Sequence, residues 1–467
     1  MLVDDNAVLT VIGAGPIGSL LALVLAQEGH RVQVFERRPD MRKQSISAGR
    51  SINLAVSARG LHALAAVGLR EFVLAQAVPM LGRMLHTRDG DLSFFAYGRD
   101  NREYINSMSR GELNKLLMTQ AEQTGRVQIH FGQRLAAYNV ETQEATFYSE
   151  HENSERTVAT PVIFGSDGSG SVLRVAIAEA TKTRVSQEAL TAGYKELTMT
   201  AAAAASNGAF AGKFRLDPGA LHIWPRGKFM LIALGNPDGS FTCTLFLAFV
   251  ATVDSPGFDG LQDAASVSAF FNEYFSDVIP HMPDFVEQFL EAPTGSMVTV
   301  KTPIWSHGSA LLLGDAAHAV VPFFGQGMNC GFEDVTILSD MLKTCDTWPE
   351  LFAKVGAARK PQADAIADMA VENFTEMRDK VADPVFVLHR AVEAEVSKRM
   401  GGRYLSRYQL VTFSRVPYQV AREAGAIQAE ILEQVCRGVT ALSEVDLDLT
   451  EKRMTERLLP LLAQYLG

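Results

Sequence analysis

The chain has 467 residues, of which 47% are hydrophobic and 21% charged, a composition typical of folded domains and not of disordered proteins. Its formal charge of −10 argues against nucleic acid as a partner, because an acidic surface repels phosphate backbones. The four cysteines form no C-x-x-C pair, which argues against a disulfide framework or zinc site and favours a reducing, cytoplasmic location. No apolar run is long enough to cross a bilayer, so we expect a soluble protein without a membrane span.

The first predicted elements form a βαβ unit. Strand 9–12 is followed by a G-x-G-x-x-G motif, a Leu- and Ala-rich helix and a second strand, 31–35. The motif's glycines are Gly13, Gly15 and Gly18. In such a unit the first glycine permits a tight turn, the second lets backbone amides approach a pyrophosphate, and the third lets the helix pack on the sheet. A glycine-rich turn can also merely join a strand to a helix, and the motif alone does not distinguish NAD from FAD.

An acidic residue follows the second strand at the spacing that a nucleotide-binding unit requires. Glu36 lies 18 residues after Gly18, where a carboxylate would accept a hydrogen bond from an adenosine ribose hydroxyl. The same carboxylate disfavours NADPH at this site, because it would repel a 2′-phosphate. Glu36 and the βαβ context together predict a dinucleotide site.

The middle of the chain alternates between strands and helices. Strands 80–87 and 92–97 are predicted to form a hairpin, because a four-residue turn signal, 88–91, joins them. Ser109 and Glu112 have capping-box spacing before a helix that runs to residue 123. Strands 127–131 and 162–164 suit a return to the nucleotide-binding sheet. Short strands between residues 192 and 253 predict an antiparallel sheet, and long helices are predicted from about residue 352.

Two further segments narrow the choice of nucleotide. Strand 162–164 leads into an Asp167-Gly168 turn and a helix, and strand 311–313 ends in Gly314-Asp315 before a helix that includes Met328 and Asn329. By itself, Gly-Asp is equally well the cap of a helix. Three motifs thus follow one another along the chain: G-x-G-x-x-G, Asp-Gly and Gly-Asp, which we call the first, second and third fingerprints. In this order they resemble the fingerprints of the flavoprotein aromatic hydroxylases. That resemblance implies that the dinucleotide is FAD.

The resemblance also implies roles for individual residues. Asp315 would hydrogen-bond the ribityl chain, and the backbone amides of Met328 and Asn329 would face the flavin pyrimidine oxygens. A helix N-terminus at this place offers free N–H groups to an electron-rich edge, which agrees with that role. The other implied FAD-binding residues are Ile17, Arg37, Arg38, Ala55, Arg110, Leu135, Asp167 and Val172.

The predicted fold class is α/β, with a Rossmann-like FAD-binding domain, an inserted antiparallel-sheet substrate domain and a C-terminal helical region. Residues 1–80, 100–185 and 300–350 are assigned to the discontinuous FAD-binding domain. Residues 81–99 and 186–299 are assigned to the substrate domain, and residues 351–467 to the helical region.

Five stretches resemble a narrower family, the kynurenine 3-monooxygenases: residues 50–55, 193–197, 221–225, 241–246 and 411–415. This resemblance runs from about residue 8 to residue 415. It implies FAD as cofactor, NADPH as co-substrate and O2 as oxidant, with L-kynurenine hydroxylated to 3-hydroxykynurenine by oxygen activated at the flavin. NADPH rests on the resemblance alone, because the sequence has no second G-x-G-x-x-G in a βαβ setting. Membrane-anchored relatives continue into a hydrophobic C-terminal segment that is not found here, so we expect no mitochondrial anchor.

The resemblance implies that four residues bind the amino-acid carboxylate: Arg83, Tyr97, Asn373 and Tyr408. The pattern supports this independently, because Arg83 alternates with apolar residues on its strand, where an unpaired guanidinium is costly. A ligand carboxylate would offset that cost. Pattern alone favours a protein carboxylate as the partner of Arg83 and a stray carbonyl as the partner of Asn373, and the resemblance reverses that preference.

An apolar wall for the aniline ring is implied at Phe246, Pro322, Phe323 and Phe324, although each could instead be an ordinary core residue. Because the flavin performs the chemistry, we expect neither a side-chain nucleophile nor a metal ligand. His318 is interpreted as a structural residue near the flavin rather than as a base.

Three alternatives stay open at this point. The same flavin chemistry could act on another ring, such as a phenol, salicylate or quinolone. The chain could be an FAD oxidoreductase that uses no oxygen, or a flavin-binding module without catalysis. Oligomeric state and the residues that bind NADPH are not predicted.

Overall fold

A computed structural model of the chain describes residues 8–43, 53–98, 102–202, 212–376 and 383–465. Residues 50–52 of the first kynurenine-3-monooxygenase-like stretch therefore lie outside the described residues. The β-strands are β1 (Val8–Ile12), β2 (Arg31–Glu36), β3 (Leu54–Val56), β4 (Val78–Met80), β5 (Gly82–His86), β6 (Leu92–Ala96), β7 (Ile105–Met108), β8 (Val127–Phe131), β9 (Gln133–Asn139), β10 (Glu144–Ser149), β11 (Ser154–Ala159), β12 (Ile163–Gly165), β13 (Ser186–Met199), β14 (Ala220–Arg226), β15 (Phe229–Gly235), β16 (Phe241–Ala248), β17 (Gly295–Lys301), β18 (Ser306–His307) and β19 (Ala310–Leu312).

The α-helices are α1 (Pro16–Gln27), α2 (Ala58–Ala66), α3 (Arg70–Ala75), α4 (Arg110–Gln123), α5 (Val172–Thr181), α6 (Ala264–Tyr274), α7 (Phe285–Glu291), α8 (Asp315–His318), α9 (Gly327–Leu342), α10 (Trp348–Thr375), α11 (Pro384–Met400), α12 (Arg407–Thr412), α13 (Tyr418–Val435) and α14 (Leu447–Leu462). Within the described ranges, no helix is long and apolar enough to cross a membrane.

The predicted nucleotide-binding sheet is confirmed. It has six strands in the order β18-β19-β12-β1-β2-β8, and β1 pairs in parallel with both β2 and β12. Four of the five residues of β1 are buried, which fits a parallel strand covered on both faces. All three predicted fingerprints therefore follow neighbouring parallel strands, β1, β12 and β19, at their carboxyl ends, where α/β sheets bind ligands.

The second large sheet has seven strands in the order β17-β13-β16-β15-β14-β5-β6, so the predicted hairpin β5–β6 forms one end of it. The strands between residues 192 and 253 pair antiparallel, as predicted, but β5 adds to them by pairing in parallel with β14. A long connection separates β5 from β14, so no hairpin turn sets their relative direction. The domain boundaries drawn from the sequence stay a prediction.

Strand β16 shows how this sheet is packed on both faces. Phe241, Cys243, Leu245 and Leu247 alternate toward a cluster that includes Phe271 and Phe289 of α6 and α7. Phe246 points the other way and packs with the core of the nucleotide-binding sheet. One face of the sheet thus packs on α6 and α7 in a separate hydrophobic core, and the other face packs on the domain that contains the nucleotide-binding sheet.

Two smaller sheets were missed by the sequence reasoning. One is the meander β11-β10-β9, and the other has the order β3-β7-β4. The strands of the meander carry many exposed polar residues, so their hydrophobic alternation is weak. Strands β3 and β4 have only three residues each, too few to show a period.

Two buried histidines join β5 to β14. His86 Nε2 lies 2.8 Å from His222 Nδ1, and His222 Nε2 lies 2.9 Å from the backbone oxygen of Asp217. Burial lowers the pKa of His222 to about 4. His222 is therefore neutral in the folded protein under conditions in which an unfolded chain would already protonate it.

Acidification should destabilise the fold through His222. Between the ordinary pKa of about 6.5 and the folded value, each pH unit of acidification lowers the free energy of unfolding by about 1.4 kcal/mol. The reason is that the unfolded chain binds a proton at His222 whereas the folded protein does not. From pH 7.5 to pH 5, wild type should lose about 2 kcal/mol more than His222→Gln, measured as urea unfolding at both pH values. The exposed His151→Gln serves as the control. Equal acid sensitivity in wild type and His222→Gln would contradict the prediction.

Candidate active site

The loop after β1 packs so closely that only glycine fits at two of its positions. Gly13 has a φ of +96°, and a Cβ atom on it would lie 2.6 Å from the backbone oxygen of Ser166. A Cβ atom on Gly18 would overlap the backbone oxygen of Gly13. A Cβ atom on Gly15, by contrast, would have no neighbour within 4 Å. The loop therefore packs closely against the sheet, whereas the space beside Gly15 is open.

Helix α1 points its N-terminus at that space. No side chain of the described residues caps it, and its first turn contains no acidic residue. Its free N–H groups and positive dipole end can therefore stabilise a phosphate. At the end of β2, Glu36 accepts hydrogen bonds from Ala14 N at 2.8 Å and Arg38 N at 2.9 Å. Each carboxylate oxygen has a second lone pair, so Glu36 can still accept a ribose hydroxyl.

Asp167 offers a buried acceptor to the same region. Its Oδ2 atom accepts a hydrogen bond from Val172 N at 2.9 Å, whereas its buried Oδ1 atom has no partner among the described residues. Burial raises the pKa of this carboxyl group. A ligand donor at Oδ1 would satisfy it. Nearby, Arg174 Nη1 donates to Ala316 O at 2.9 Å and so joins the second fingerprint to the third.

The third fingerprint is fixed by a turn and by one amide side chain. Gly314 has a φ of +57°, a conformation that favours glycine, and a Cβ atom on it would overlap the side chain of Ile17. Asp315 follows as the first residue of α8. The buried Asn329 side chain accepts from Ser57 N at 3.0 Å and donates to Ala55 O at 2.8 Å. It therefore ties β3 to the first turn of α9.

The other predicted cofactor residues are less uniformly placed. Arg37 and Arg38 are exposed just after β2, and Arg110 is exposed at the first position of α4. Met328 lies beside Asn329 in the first turn of α9, whose N-terminus no described side chain caps. Leu135 is a buried core residue of β9, so a cofactor could reach it only through its backbone.

Three predicted substrate-binding residues come together from distant parts of the chain. The Arg83 Cζ atom lies 4.8 Å from the ring centre of Tyr408 and 5.4 Å from that of Tyr97. The two tyrosine rings stack with their centres 5.4 Å apart. Arg83 Nε is buried without a hydrogen-bond partner, and in the described part of the chain no carboxylate pairs with this guanidinium. A protein carboxylate that pairs with Arg83, the alternative left open by the sequence, is thus not found among the described residues.

The charges around Arg83 suit an anion. Burial raises the pKa of both Tyr97 and Tyr408, so both are neutral phenols near pH 7 and can donate hydrogen bonds. The buried Tyr97 hydroxyl has no hydrogen-bond partner within the described ranges. A guanidinium flanked by two phenol donors is complementary to a carboxylate.

Aromatic residues extend this group toward the third fingerprint. Phe324 stacks near Tyr408 with ring centres 5.7 Å apart, and Phe323 lies 5.1 Å from Phe246. Pro322 begins the short turn that carries both phenylalanines. Asn373 Nδ2 donates to Phe323 O at 2.6 Å, so Asn373 does cap a backbone carbonyl, as the alternative interpretation of the sequence had it.

The sequence reasoning missed most of a group that we call the buried charge cluster: Arg59, His318, Glu333, Asp334 and Arg359. His318 Nε2 lies 2.6 Å from Asp334 Oδ2. Burial alone would lower the pKa of His318, but the Asp334 carboxylate outweighs burial and holds it well above its ordinary value. Cys330 lies beside them, yet Arg359 contacts both Cys330 and Asp334 and disfavours a metal ion there. Two adjacent carboxylates inside the apolar helix α9 were the available signal.

The chain matches a family model described as "FAD binding domain" over residues 5–216 and 253–370. It is 47% identical over 457 residues to a protein from Myxococcus xanthus named "Kynurenine 3-monooxygenase", covering 98% of this chain and 96% of the relative. A protein of the same name from Cytophaga hutchinsonii is 41% identical over 431 residues, covering 91% of this chain and 93% of the relative.

Two solved structures show the fold. A tetrameric form of 2-methyl-3-hydroxypyridine-5-carboxylic acid oxygenase has a TM-score of 0.64 at 18% identity, covering 82% of this chain and 96% of that one. Pseudomonas aeruginosa PqsL in complex with 2-aminobenzoylacetate has a TM-score of 0.60 at 19% identity, covering 80% and 96%. Both support the predicted α/β class with its FAD-binding sheet.

A substitution at Gly15 should separate cofactor binding from folding. In Gly15→Val, the added Cβ atom has no protein atom within 4 Å, but the side chain occupies the space that a pyrophosphate needs. The protein should therefore fold yet purify colourless. The measurement is the flavin-to-protein absorbance ratio, with circular dichroism as the check on folding. Gly260→Val, at another open position, should keep its flavin. A yellow Gly15→Val protein would contradict this placement of the cofactor.

Proposed function

The chain belongs to the family of kynurenine 3-monooxygenases, and from this premise we propose that it uses FAD, NADPH and O2 to hydroxylate L-kynurenine to 3-hydroxykynurenine. When bound, the flavin takes electrons from NADPH and activates molecular oxygen for transfer to the aromatic ring. The protein's own residues bind and orient the substrate and keep water away from the reacting centre.

The observation that carries this proposal is that no carboxylate of the described residues pairs with the Arg83 guanidinium, whose buried Nε atom has no hydrogen-bond partner among them. Leaving such a cation without an anion in a desolvated site is costly, whereas charge-assisted hydrogen bonds to a carboxylate offset that cost. Kynurenine has a carboxylate at one end and an aniline ring at the other. We assign the carboxylate to Arg83, Tyr97 and Tyr408.

The ring is assigned to the aromatic wall formed by Phe246, Pro322, Phe323 and Phe324. These residues supply apolar surface that holds a flat ring and excludes water. Asn373 positions the wall through the bond of its Nδ2 atom to Phe323 O. Binding at two ends then fixes which ring carbon faces the flavin.

The FAD-binding residues are assigned from the loops that follow β1, β2, β12 and β19. Gly15 and the N-terminus of α1 would hold the pyrophosphate, Glu36 the adenosine ribose, and Asp167 and Asp315 the flavin side of the dinucleotide. The open space at Gly15 and the orphaned Asp167 oxygen support this assignment. We also propose cytoplasmic placement, supported by four cysteines that are all buried and unpaired.

Product analysis tests the proposed function directly. Purified protein supplied with kynurenine, NADPH and ¹⁸O₂ should yield 3-hydroxykynurenine that carries one labelled oxygen, detected by mass spectrometry. Phenol, salicylate and quinolone substrates serve as comparisons. Preferential hydroxylation of one of them, NADPH oxidation without oxygen uptake, or a flavin that NADPH does not reduce would each overturn the proposal.

Arg83→Ala should weaken substrate binding and leave the flavin in place. Because the substitution removes charge-assisted hydrogen bonds to the carboxylate, the KM for kynurenine should rise about 10- to 100-fold. Steady-state kinetics and flavin content are the measurements. Arg88→Ala, on the exposed tip of the same hairpin, is the matched control and should behave like wild type. Flavin loss in Arg83→Ala with an unchanged KM would contradict the assignment.

A further inference from the structure

Arg59 in α2 is a buried cation whose hydrogen bonds converge on one segment of the C-terminal region. Its Nη1 atom donates to Val411 O at 2.6 Å and to Ser414 O at 2.9 Å, and its Nη2 atom donates to Val416 O. These carbonyls lie at the end of α12 and just beyond it, where a helix leaves C=O groups without helical partners. One side chain thus holds the whole C-terminal end of α12.

The remaining members of the buried charge cluster hold Arg59 in place. Arg59 Nε lies 3.0 Å from Glu333 Oε1, and Glu333 Oε2 lies 2.8 Å from Arg359 Nη1. Arg359 Nε donates to Asp334 Oδ1 at 2.8 Å, and Asp334 Oδ2 accepts from Gly314 N at 3.0 Å. Removing one member would leave a buried charge without its partner, which is costly. The cluster therefore resists rearrangement. It links the Gly314-Asp315 turn to Arg59.

Tyr408 lies one helical turn before Val411 on the segment that Arg59 holds. The other end of α12 has its own anchors, a capping box of Ser406 with Gln409 and a bond from Arg407 N to Gln428. The Tyr408 ring contacts Arg83 and stacks on Tyr97. A shift at the C-terminal end of α12 would therefore tilt the Tyr408 ring relative to Arg83.

We infer that Arg59 is a positioning residue for substrate binding: it fixes α12 so that Tyr408 and Arg83 meet the same carboxylate. This inference rests on the proposed function, because it takes the carboxylate of kynurenine as the ligand of both residues. Lysine keeps the charge but lacks the planar fork of donors. Arg59→Lys therefore cannot reach Glu333 and three carbonyls in the same geometry.

The test is a double-mutant cycle on the FAD-loaded protein, with Arg59→Lys, Tyr408→Phe and the double variant. Arg59→Lys should keep its flavin and raise the kynurenine KM about tenfold, with kcat changed far less. If Arg59 acts through Tyr408, the same substitution should change KM by less than about threefold in the Tyr408→Phe background. Arg415→Lys, an exposed change in the same segment, is the matched control.

The outcomes separate this inference from the proposed function. A wild-type protein that does not hydroxylate kynurenine overturns both. A wild-type protein that does, with KM effects that multiply fully in the double variant, overturns the positioning role alone. So does an Arg59→Lys protein with a lower melting temperature and an unchanged KM. If Arg59→Lys does not fold, Glu333→Gln, which weakens the anchor of Arg59, replaces it in the same cycle with the same criteria.

Discussion

The Arg83 guanidinium, which no carboxylate of the described residues pairs with, is the feature on which the rest of the proposed site depends. The Arg83 Nε atom is buried and has no hydrogen-bond partner among the described residues, and the Arg83 Cζ atom lies 4.8 Å from the ring centre of Tyr408 and 5.4 Å from that of Tyr97. Cation–π contacts stabilise such a group by only about 0.5–2 kcal/mol, less than a full set of charge-assisted hydrogen bonds provides. This arrangement supports the proposal that a ligand supplies the anion.

That arrangement requires a rigid frame that keeps Arg83 and the two tyrosines in position. Arg83 is held by a strand paired on both sides, by β6 and by β14, while Tyr408 is held from another region by Arg59. The aromatic wall contacts these parts through Phe324, whose ring centre lies 5.7 Å from that of Tyr408. Rigid supports on several elements keep a first layer of residues in a productive geometry more effectively than a single flexible loop would.

The sequence predicted the parts of the fold that depend on local pattern. The glycine motif, Glu36, the hairpin and the strands of the parallel sheet each have a period or a turn signal, and the structure has them in place. The parallel pairing of β5 with β14 was not predictable, because strand direction across a long connection leaves no local trace. The partners of Arg59 were missed for a related reason: they come from α9 and from carbonyls near residue 414, and no short window contains both. Arg83, Tyr97 and Tyr408 came from family resemblance, since pattern alone favoured a protein carboxylate as the partner of Arg83.

The parallel pairing of β5 with β14 also bears on how the molecule is made. Strand β5 leaves the ribosome long before β14 exists, so the β5–β6 hairpin at first has one hydrogen-bonding edge of β5 open. Contacts between residues so far apart raise the contact order and slow folding, because a long loop must close before the pairing stabilises anything. The part of the sheet that carries Arg83 is thus completed only after β14 has been synthesised, and until then β5 has an unpaired edge of the kind that favours aggregation.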